Sequence, residues 1–119
     1  MKLTKSQRTE LMQKFGGRCA YCGCELDKKW HADHLKPIRR NSDGTCINTE
    51  NDCIENLMPA CTACNHNKRS IPLEKWRELL AHYRDVQLIR DCSQFRHLVR
   101  LGIIEIKNKP VIFFFEKVK

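Results

Sequence analysis

Apolar residues near the start of the chain recur at the spacing of an amphipathic helix, which we predict over residues 4–15. The residues that can share its apolar face are Leu3, Leu11, Met12 and Phe15. Thr4 or Ser6 can cap its first turn, and the Gly16-Gly17 pair can end its last one. The pattern therefore predicts one helix that leads into a cysteine-rich segment.

The stretch after the cysteine-rich segment predicts short and irregular structure. Residues 30–35 (Trp-His-Ala-Asp-His-Leu) fit a short strand, which Pro37 limits. Residues 41–53 are rich in Asn, Ser, Asp, Gly and Thr, a composition typical of a loop.

Helical spacing returns in the second half of the chain. One helix is predicted to start near Cys61 or Cys64 and to run to Ser70. Pro72 interrupts it and can open the next helix at its first turn, and that helix should cover about residues 73–89. Its apolar positions at helical spacing are Trp76, Leu79, Leu80, Tyr83 and Val86.

The last part of the chain predicts a helix followed by a β-hairpin. The helix covers about residues 91–101 and ends at Gly102. Residues 103–106 and 111–116 are mostly apolar and flank a Lys-Asn-Lys-Pro turn, as the strands of a hairpin do. Helices and strands together predict an α+β fold.

We expect a boundary near residue 71. Residues 1–70 carry the chemical motifs, whereas residues 71–119 read as a helical and hairpin extension packed on that core. A chain of 119 residues suits one compact domain with a modest apolar core.

Net charge changes this picture by suggesting a partner. Lys and Arg number 22 against 14 Asp and Glu, a formal net charge of +8 that favours a polyanion such as nucleic acid. Residues 1–70 carry 12 basic and 8 acidic side chains, and residues 71–119 carry 10 and 6, so the excess is not confined to a tail.

The eight cysteines raise the question of redox compartment. The N-terminal Met-Lys-Leu-Thr-Lys contains no apolar signal stretch, so we expect a cytoplasmic protein with reduced thiols. No apolar run approaches the roughly 20 residues of a membrane helix, the nearest being residues 111–115. Cys46, Cys53 and Cys92 have no partner at ligand spacing, although the first two could pair under oxidation.

The remaining cysteines include two Cys-x-x-Cys pairs, Cys19/Cys22 and Cys61/Cys64. Tetrahedral zinc takes four soft ligands, and each short pair can supply two sulfurs from one turn, so we predict a structural zinc site. Two alternatives remain open. The cysteines could be buried apolar residues or disulfides, and Cys24 could replace Cys22 as the ligand.

Between and after these pairs lie three strings: Asp33-His34, Glu55-Asn56-Leu57-Met58-Pro59-Ala60-Cys61, and Cys64-Asn65-His66-Asn67-Lys68-Arg69. Over residues 19–70 this combination resembles the HNH nuclease family. The resemblance implies a ββα-metal motif, with an Asp-His pair on the first strand, a central Asn before a Leu, and a His or Asn opening the helix.

The resemblance implies a role for each matching residue. His34 corresponds to the general base, Asp33 to a catalytic metal ligand, and Asn56 to the Asn that fixes the loop. Asn65 stands where many members have His, which implies an HNN-type variant with Asn65 as the second metal ligand. His66 is the alternative ligand. Neighbouring side chains on a helix point about 100° apart, so only one of Asn65 and His66 should face the metal.

The implied activity is hydrolysis of DNA phosphodiester bonds to a 5′-phosphate and a 3′-hydroxyl. Carboxylate and amide oxygens favour Mg²⁺ or Mn²⁺ as the catalytic cation. An imidazole with a pKa near 6.5 suits a base that deprotonates water.

Five basic residues beside these motifs could contact DNA phosphates, namely Lys36, Arg39, Arg40, Lys68 and Arg69. Solvated surface positions explain them equally well. His31 faces the same side of the predicted strand as Asp33 and is either an extra contact or a polar edge residue.

Two rival functions and two uses of the extension stay open. The chain could be a non-catalytic zinc module that binds nucleic acid, or a thiol redox protein, although neither needs the Asp-His pair. The Phe113-Phe114-Phe115 run cannot face one side of a strand, so we expect an exposed patch for self-association or a protein partner. Four arginines of the extension either extend a DNA-facing surface or are scattered solvated residues: Arg84, Arg90, Arg96 and Arg100.

Overall fold

A computed structural model describes residues 2–47 and 49–118, which leaves out Met1, Lys119 and Asn48 of the predicted loop. It has an α+β fold, as predicted, with one two-stranded antiparallel sheet and six α-helices among the described residues. In chain order the elements are α1 (Lys5–Met12), β1 (His31–His34), β2 (Leu57–Ala60), α2 (Thr62–Lys68), α3 (Leu73–His82), α4 (Leu88–Asp91), α5 (Ser93–Arg100) and α6 (Phe114–Lys117).

The chain divides into two compact units. The first unit contains residues 1–73 and 112–119, and the second contains residues 74–111. Both Cys-x-x-Cys pairs and the three strings that resemble the HNH family belong to the first unit.

The N-terminal helix forms as its sequence predicts. The side chain of Thr4 accepts a hydrogen bond from the backbone of Gln7, whose own side chain accepts from the N–H of Thr4, a complete capping box. A 3₁₀ turn extends α1 to Phe15, and Gly16 ends it with a left-handed φ of 66°. Leu11 of α1 packs with Trp30 and Leu57 in an apolar cluster beside the sheet.

The sheet consists of β1 and β2 alone among the described residues. Strand β1 was predicted, whereas β2 is a fully buried stretch that contains Pro59, and it shows no alternation of apolar and polar residues. A proline donates no ladder hydrogen bond, yet its carbonyl accepts one from the N–H of Ala20 at 2.8 Å. This hydrogen bond attaches the cysteine-rich segment to the outer edge of β2. The paired residues are His31 with Ala60, Ala32 with Pro59, Asp33 with Met58, and His34 with Leu57.

Helix α2 begins directly after Cys61, whose side chain accepts from the N–H of Cys64 and caps it. It ends near the predicted position, and Pro72 separates it from α3. Strand β1, strand β2 and α2 together form a ββα unit, the arrangement that the resemblance implied.

The second unit is helical. Helix α3 passes through a π-helical segment, Tyr83–Gln87, into α4, and α5 follows a break at Cys92. The predicted helices over residues 73–89 and 91–101 are therefore both present, the first with a π-helical insertion. Within the described residues, no helix combines the length and the apolar content needed to cross a membrane.

The predicted C-terminal hairpin is wrong. Residues 101–113 contain no strand, and the chain forms the short helix α6 where the second strand was expected. The backbone of this segment finds other partners: Arg77 and Arg84 donate to the carbonyls of Val111 and Lys109 at 2.5 and 2.6 Å. These two carbonyls thus accept from arginine side chains and not from an opposing strand.

The expected exposed aromatic patch is also wrong. Phe113 is buried, and neither Phe114 nor Phe115 is exposed. The rings of Phe113 and Phe115 pack edge-on against Tyr21 at centroid distances of 5.8 and 6.2 Å. Gly23 has a φ of 80°, and a Cβ there would lie 2.8 Å from the ring of Phe114. The aromatic run therefore packs on the cysteine-rich segment, and none of its three rings is exposed.

Candidate metal centre and active site

The two Cys-x-x-Cys pairs meet at one point in space. The sulfur atoms of Cys19, Cys22, Cys61 and Cys64 all lie within 4.8 Å of one another. Tetrahedral zinc with Zn–S bonds of about 2.3 Å requires sulfurs about 3.8 Å apart. The Sγ atoms of Cys22 and Cys61 are 3.8 Å apart, so the cluster has the dimensions of a four-thiolate zinc site.

Backbone amides and shared protons stabilise negative charge on these sulfurs. The N–H groups of Tyr21 and Cys64 donate to the sulfurs of Cys19 and Cys61, each at 3.4 Å. The Cys64 thiol donates to Cys19, which lowers the pKa of Cys19 and raises the pKa of Cys64. Four thiolates at this spacing repel one another, so full deprotonation requires a cation at their centre.

The structure favours Cys22 over Cys24 as the ligand, because the four-sulfur cluster contains Cys22. Cys24 lies beside the cluster: its carbonyl accepts from the N–H of Cys19 at 2.8 Å, and its thiol hydrogen-bonds with Cys22 and Cys61. The backbone bond closes the tight turn that aims the first two sulfurs.

The carboxylate of Asp33 is buried between two donors. Its Oδ2 accepts from the hydroxyl of Tyr21 at 2.5 Å and lies 3.1 Å from Nζ of Lys68. Burial and the negative charge of Asp33 raise the pKa of Tyr21, so the phenol stays protonated and donates. Both contacts use Oδ2, so neither occupies Oδ1. Tyr21 lies between Cys19 and Cys22 in sequence, and it therefore connects the cysteine cluster to Asp33.

The predicted phosphate contact of Lys68 is contradicted by its position. The side chain is 0% exposed, and Nζ also donates to the carbonyl of His34 at 3.0 Å. Lys68 lies on the face of α2 that packs against β1, and its ammonium group pairs with Asp33 inside the protein. A side chain without solvent exposure cannot reach a DNA phosphate.

We expect Lys68→Met to destabilise the protein by about 3–5 kcal/mol, because it leaves the buried Asp33 carboxylate without the ammonium group that pairs with it. Urea denaturation should report this loss. Lys75→Met is the matched control, since Lys75 is 63% exposed and its pairing with Glu78 at 3.9 Å is worth little. Similar midpoints for the two variants would contradict the importance of the buried pair.

His34 meets a carboxylate that the sequence did not single out. Its Nε2 lies 3.0 Å from Oδ1 of Asp52, and the two side chains are 21% and 16% exposed. The hydrogen bond with His34 is the main cause that lowers the pKa of Asp52. Asp52 belongs to the predicted loop, and no local motif distinguishes it from the other acidic residues there.

Asn56 ties two backbone segments together. Its Oδ1 accepts from the N–H of Lys36 at 2.9 Å, and its Nδ2 donates to the carbonyls of Lys36 and Asn51 at 2.8 and 2.7 Å. One segment follows β1 and the other precedes Asp52. These bonds fit the loop-fixing role that the resemblance implied.

A cavity of about 510 Å³ opens beside β1 and the last turns of α2. Asp33 and His34 line it from the strand, and Asn65, His66 and Arg69 line it from the helix and its end. Both candidates for the second ligand thus border the same cavity, and the ring of His66 also lies 5.9 Å from that of His31. The cavity can accommodate a phosphate group together with a hydrated cation.

The other basic residues near the cavity differ from Lys68 in exposure. Lys36, Arg39, Arg40 and Arg69 are all exposed. Arg69 has a left-handed φ of 53°, a conformation that non-glycine residues rarely adopt, and it is the one that lines the cavity. It stands directly after α2, beside the buried Lys68.

The arginines of the second unit are engaged within that unit. Arg84 and Arg90 pair with the carboxylate of the next residue at 2.6 and 2.8 Å. Arg96 donates to two backbone carbonyls, and Arg100 contacts the ring of His97. Asp85 and Asp91 therefore offset the charges of Arg84 and Arg90, whereas Arg96 and Arg100 keep their full positive charge.

Comparison with protein-family models matches residues 19–70 to the model described as HNH endonuclease. The match begins at the first cysteine of the cluster and ends just after α2, so it covers the ββα unit and the cavity beside it. No curated protein and no solved structure matches the chain.

Proposed function

We infer that this chain, whose residues 19–70 match the family model described as HNH endonuclease, is a metal-dependent DNA endonuclease. One observation carries the proposal: Asp33, His34 and Asn65, which the resemblance assigns to the chemistry, all line a single cavity. The family acts on DNA, and the net charge of +8 suits a polyanionic substrate.

In this proposal His34 is the general base. Its imidazole lines the cavity and is held at one nitrogen by Asp52, so it has a defined orientation toward a water in that space. Removing a proton from that water gives the hydroxide that attacks phosphorus. The bond to the 3′ oxygen then breaks, and that oxygen takes a proton from a water molecule, which leaves a 5′-phosphate and a 3′-hydroxyl.

The proposed holders of the catalytic cation are Asp33 and Asn65. Tyr21 and Lys68 fix Oδ2 of Asp33, so Oδ1 is the oxygen that we assign to the cation. A carboxylate and an amide oxygen fit Mg²⁺ or Mn²⁺. When bound there, such a cation supplies stabilisation of the charge that develops on the phosphate and the leaving oxygen.

The charge balance of this site favours a cation shared with the substrate. Lys68 lies 3.1 Å from Asp33 and offsets much of its charge, and Asn65 is neutral. Two protein oxygens with so little net charge hold a divalent cation weakly, and the phosphate of DNA supplies further oxygen ligands. Arg69, exposed at the cavity, is placed to contact that phosphate or its neighbour.

For the cysteine cluster we propose a structural zinc. All four positions are occupied by cysteine, as in closed structural sites, whereas catalytic zinc sites keep one position open. The metal would join the turn before β1 to the start of α2. It would thereby set the distance between the strand and the helix that line the cavity.

The alternative is a zinc-stabilised module that binds nucleic acid without cutting it. This alternative rests on the net positive charge of the chain and on the four-cysteine cluster. A binding module, however, has no need for a histidine held by a carboxylate beside a cavity, and the arrangement around His34 therefore favours the enzyme.

The experiment that tests the proposal is cleavage of a supercoiled plasmid by the purified protein in Mg²⁺, Mn²⁺ or EDTA, with zinc content measured in each sample. We expect nicked or linear DNA with Mg²⁺ or Mn²⁺ and none with EDTA while zinc is retained. Ligation after the reaction should succeed without a kinase, because the 5′ ends carry phosphate. Retention of DNA without any cleavage, under every cation, would establish the binding module instead.

A further inference from the structure

The carboxylate of Asp52 meets His34 in a way that the family resemblance does not assign. The contact joins Oδ1 of Asp52 to Nε2 of His34 at 3.0 Å. Roughly four fifths of each side chain is shielded, with 21% of His34 and 16% of Asp52 exposed, so water competes only partly for the bond.

The backbone around this contact is tied on both sides. Asn56 bonds the N–H and carbonyl of Lys36, two residues after His34, and the carbonyl of Asn51, one residue before Asp52. The N–H of Asp52 itself donates to the carbonyl of Thr49 at 3.0 Å. One asparagine therefore holds together the two segments whose side chains meet, so the His34–Asp52 distance is set by the fold.

The chemistry of the two groups determines which nitrogen carries the proton. The hydrogen bond from His34 lowers the pKa of Asp52, so its carboxylate is ionised at neutral pH and can only accept. Nε2 must then be the protonated nitrogen. In a neutral imidazole the other nitrogen, Nδ1, keeps its lone pair and can accept a proton.

We propose that Asp52 is a positioning residue that holds His34 in its Nε2-protonated form and so assigns Nδ1 as the nitrogen that deprotonates water. This inference rests on the proposed nuclease function. After the proton transfer, the carboxylate also stabilises the imidazolium that forms, as the aspartate of a serine-protease triad does.

The first test observes the tautomer directly. Protein labelled with ¹⁵N-histidine and loaded with zinc has five histidines, and His34→Gln identifies the signals of His34. At a pH where His34 is neutral, we expect its Nε2 to be protonated and its Nδ1 to be unprotonated. In Asp52→Ala we expect a mixture of the two tautomers. An Nδ1-protonated form in the natural protein, or an unchanged tautomer in Asp52→Ala, would overturn the proposal.

The second test measures plasmid nicking at saturating and limiting DNA. We expect Asp52→Ala to lower kcat at least about 10- to 100-fold, the range for carboxylates that orient metal-bound histidines, and to leave KM close to its original value. The matched control is Asp43→Ala, which removes the same charge from the same loop. Asp43 is exposed, and its carboxylate accepts from the N–H and the hydroxyl of Thr45, away from His34, so kcat should stay unchanged.

The outcomes separate this proposal from the nuclease proposal. If the natural protein cleaves through His34 but Asp52→Ala keeps its kcat and tautomer, the role of Asp52 is refuted and the nuclease stands. If the natural protein never cleaves, the nuclease is refuted, and the tautomer measurement still decides whether Asp52 positions His34.

Discussion

Replacing His34 with alanine should reduce the rate of DNA cleavage by about 10²–10⁴-fold, the usual contribution of a general base. His34 lines the cavity and is held by Asp52, but its imidazole has no part in the apolar cluster or the cysteine cluster. The variant should therefore fold, bind zinc and bind DNA like the natural protein. Single-turnover nicking of plasmid in Mg²⁺ measures the loss.

The matched control for this experiment is His82→Ala. His82 is an exposed histidine on α3, in the second unit, so its removal tests for any general effect of losing an imidazole. Equal cleavage rates for His34→Ala and the natural protein would refute the assignment of the base. Because zinc content and DNA affinity are measured on the same samples, loss of structure cannot imitate loss of the base.

Removal of one cysteine ligand should have the largest effect on stability. Structural zinc contributes an apparent free energy of about 10–16 kcal/mol at neutral pH, as much as the whole free energy of unfolding of a typical domain. We expect Cys22→Ser to lose zinc and to lose the cooperative thermal transition of the first unit. Circular dichroism on heating, with zinc measured by elemental analysis, records both results.

Cys24→Ser is the matched control, because Cys24 is an exposed cysteine two residues away that lies outside the four-sulfur cluster. It should keep one zinc per chain and the original melting transition. The reverse result, with zinc lost only in Cys24→Ser, would assign Cys24 as the ligand. In the natural protein, a thiol reagent should find four of the eight cysteines protected until a chelator is added. Eight reactive thiols without a chelator would contradict the metal site.

The link between the cysteine cluster and Asp33 connects the proposed zinc site to the proposed catalytic site. Tyr21 sits in the turn between two ligands, and its hydroxyl bonds Asp33 at 2.5 Å. The aromatic run near the C-terminus packs on the ring of the same tyrosine. Disruption of either neighbour should therefore move the carboxylate that we assign to the cation.

Several of these features were predictable because their signals are local. A Cys-x-x-Cys pair carries its ligand geometry within one turn, and Thr4 with Gln7 carries a complete helix cap. The family resemblance predicted the order strand, strand, helix, and therefore the second strand. The spacing of apolar residues could not predict β2, because all of its residues are buried. The assignments of the individual catalytic residues stay predictions until the variants are measured.

Other features depended on residues far apart in sequence. The C-terminal run has strand-like composition, yet its N–H groups bond to the cysteine-rich segment, and tertiary contacts outweighed β propensity. The exposed surface that we expected there is consequently absent among the described residues. Sequence patterns describe what a segment prefers and cannot say which neighbour will accept its hydrogen bonds.

The sequence by itself determined the cysteine pairs, the Asp-His pair and the helix that follows Cys61, because each depends on residues within a few positions of one another. Only the tertiary structure decided that Lys68 is buried beside Asp33 and that Asp52 holds His34. Both are ordinary charged residues in sequence. Their roles arise because folding removes one charge from water and brings the other to a histidine 18 residues away, so that each acquires its partner only in the folded chain.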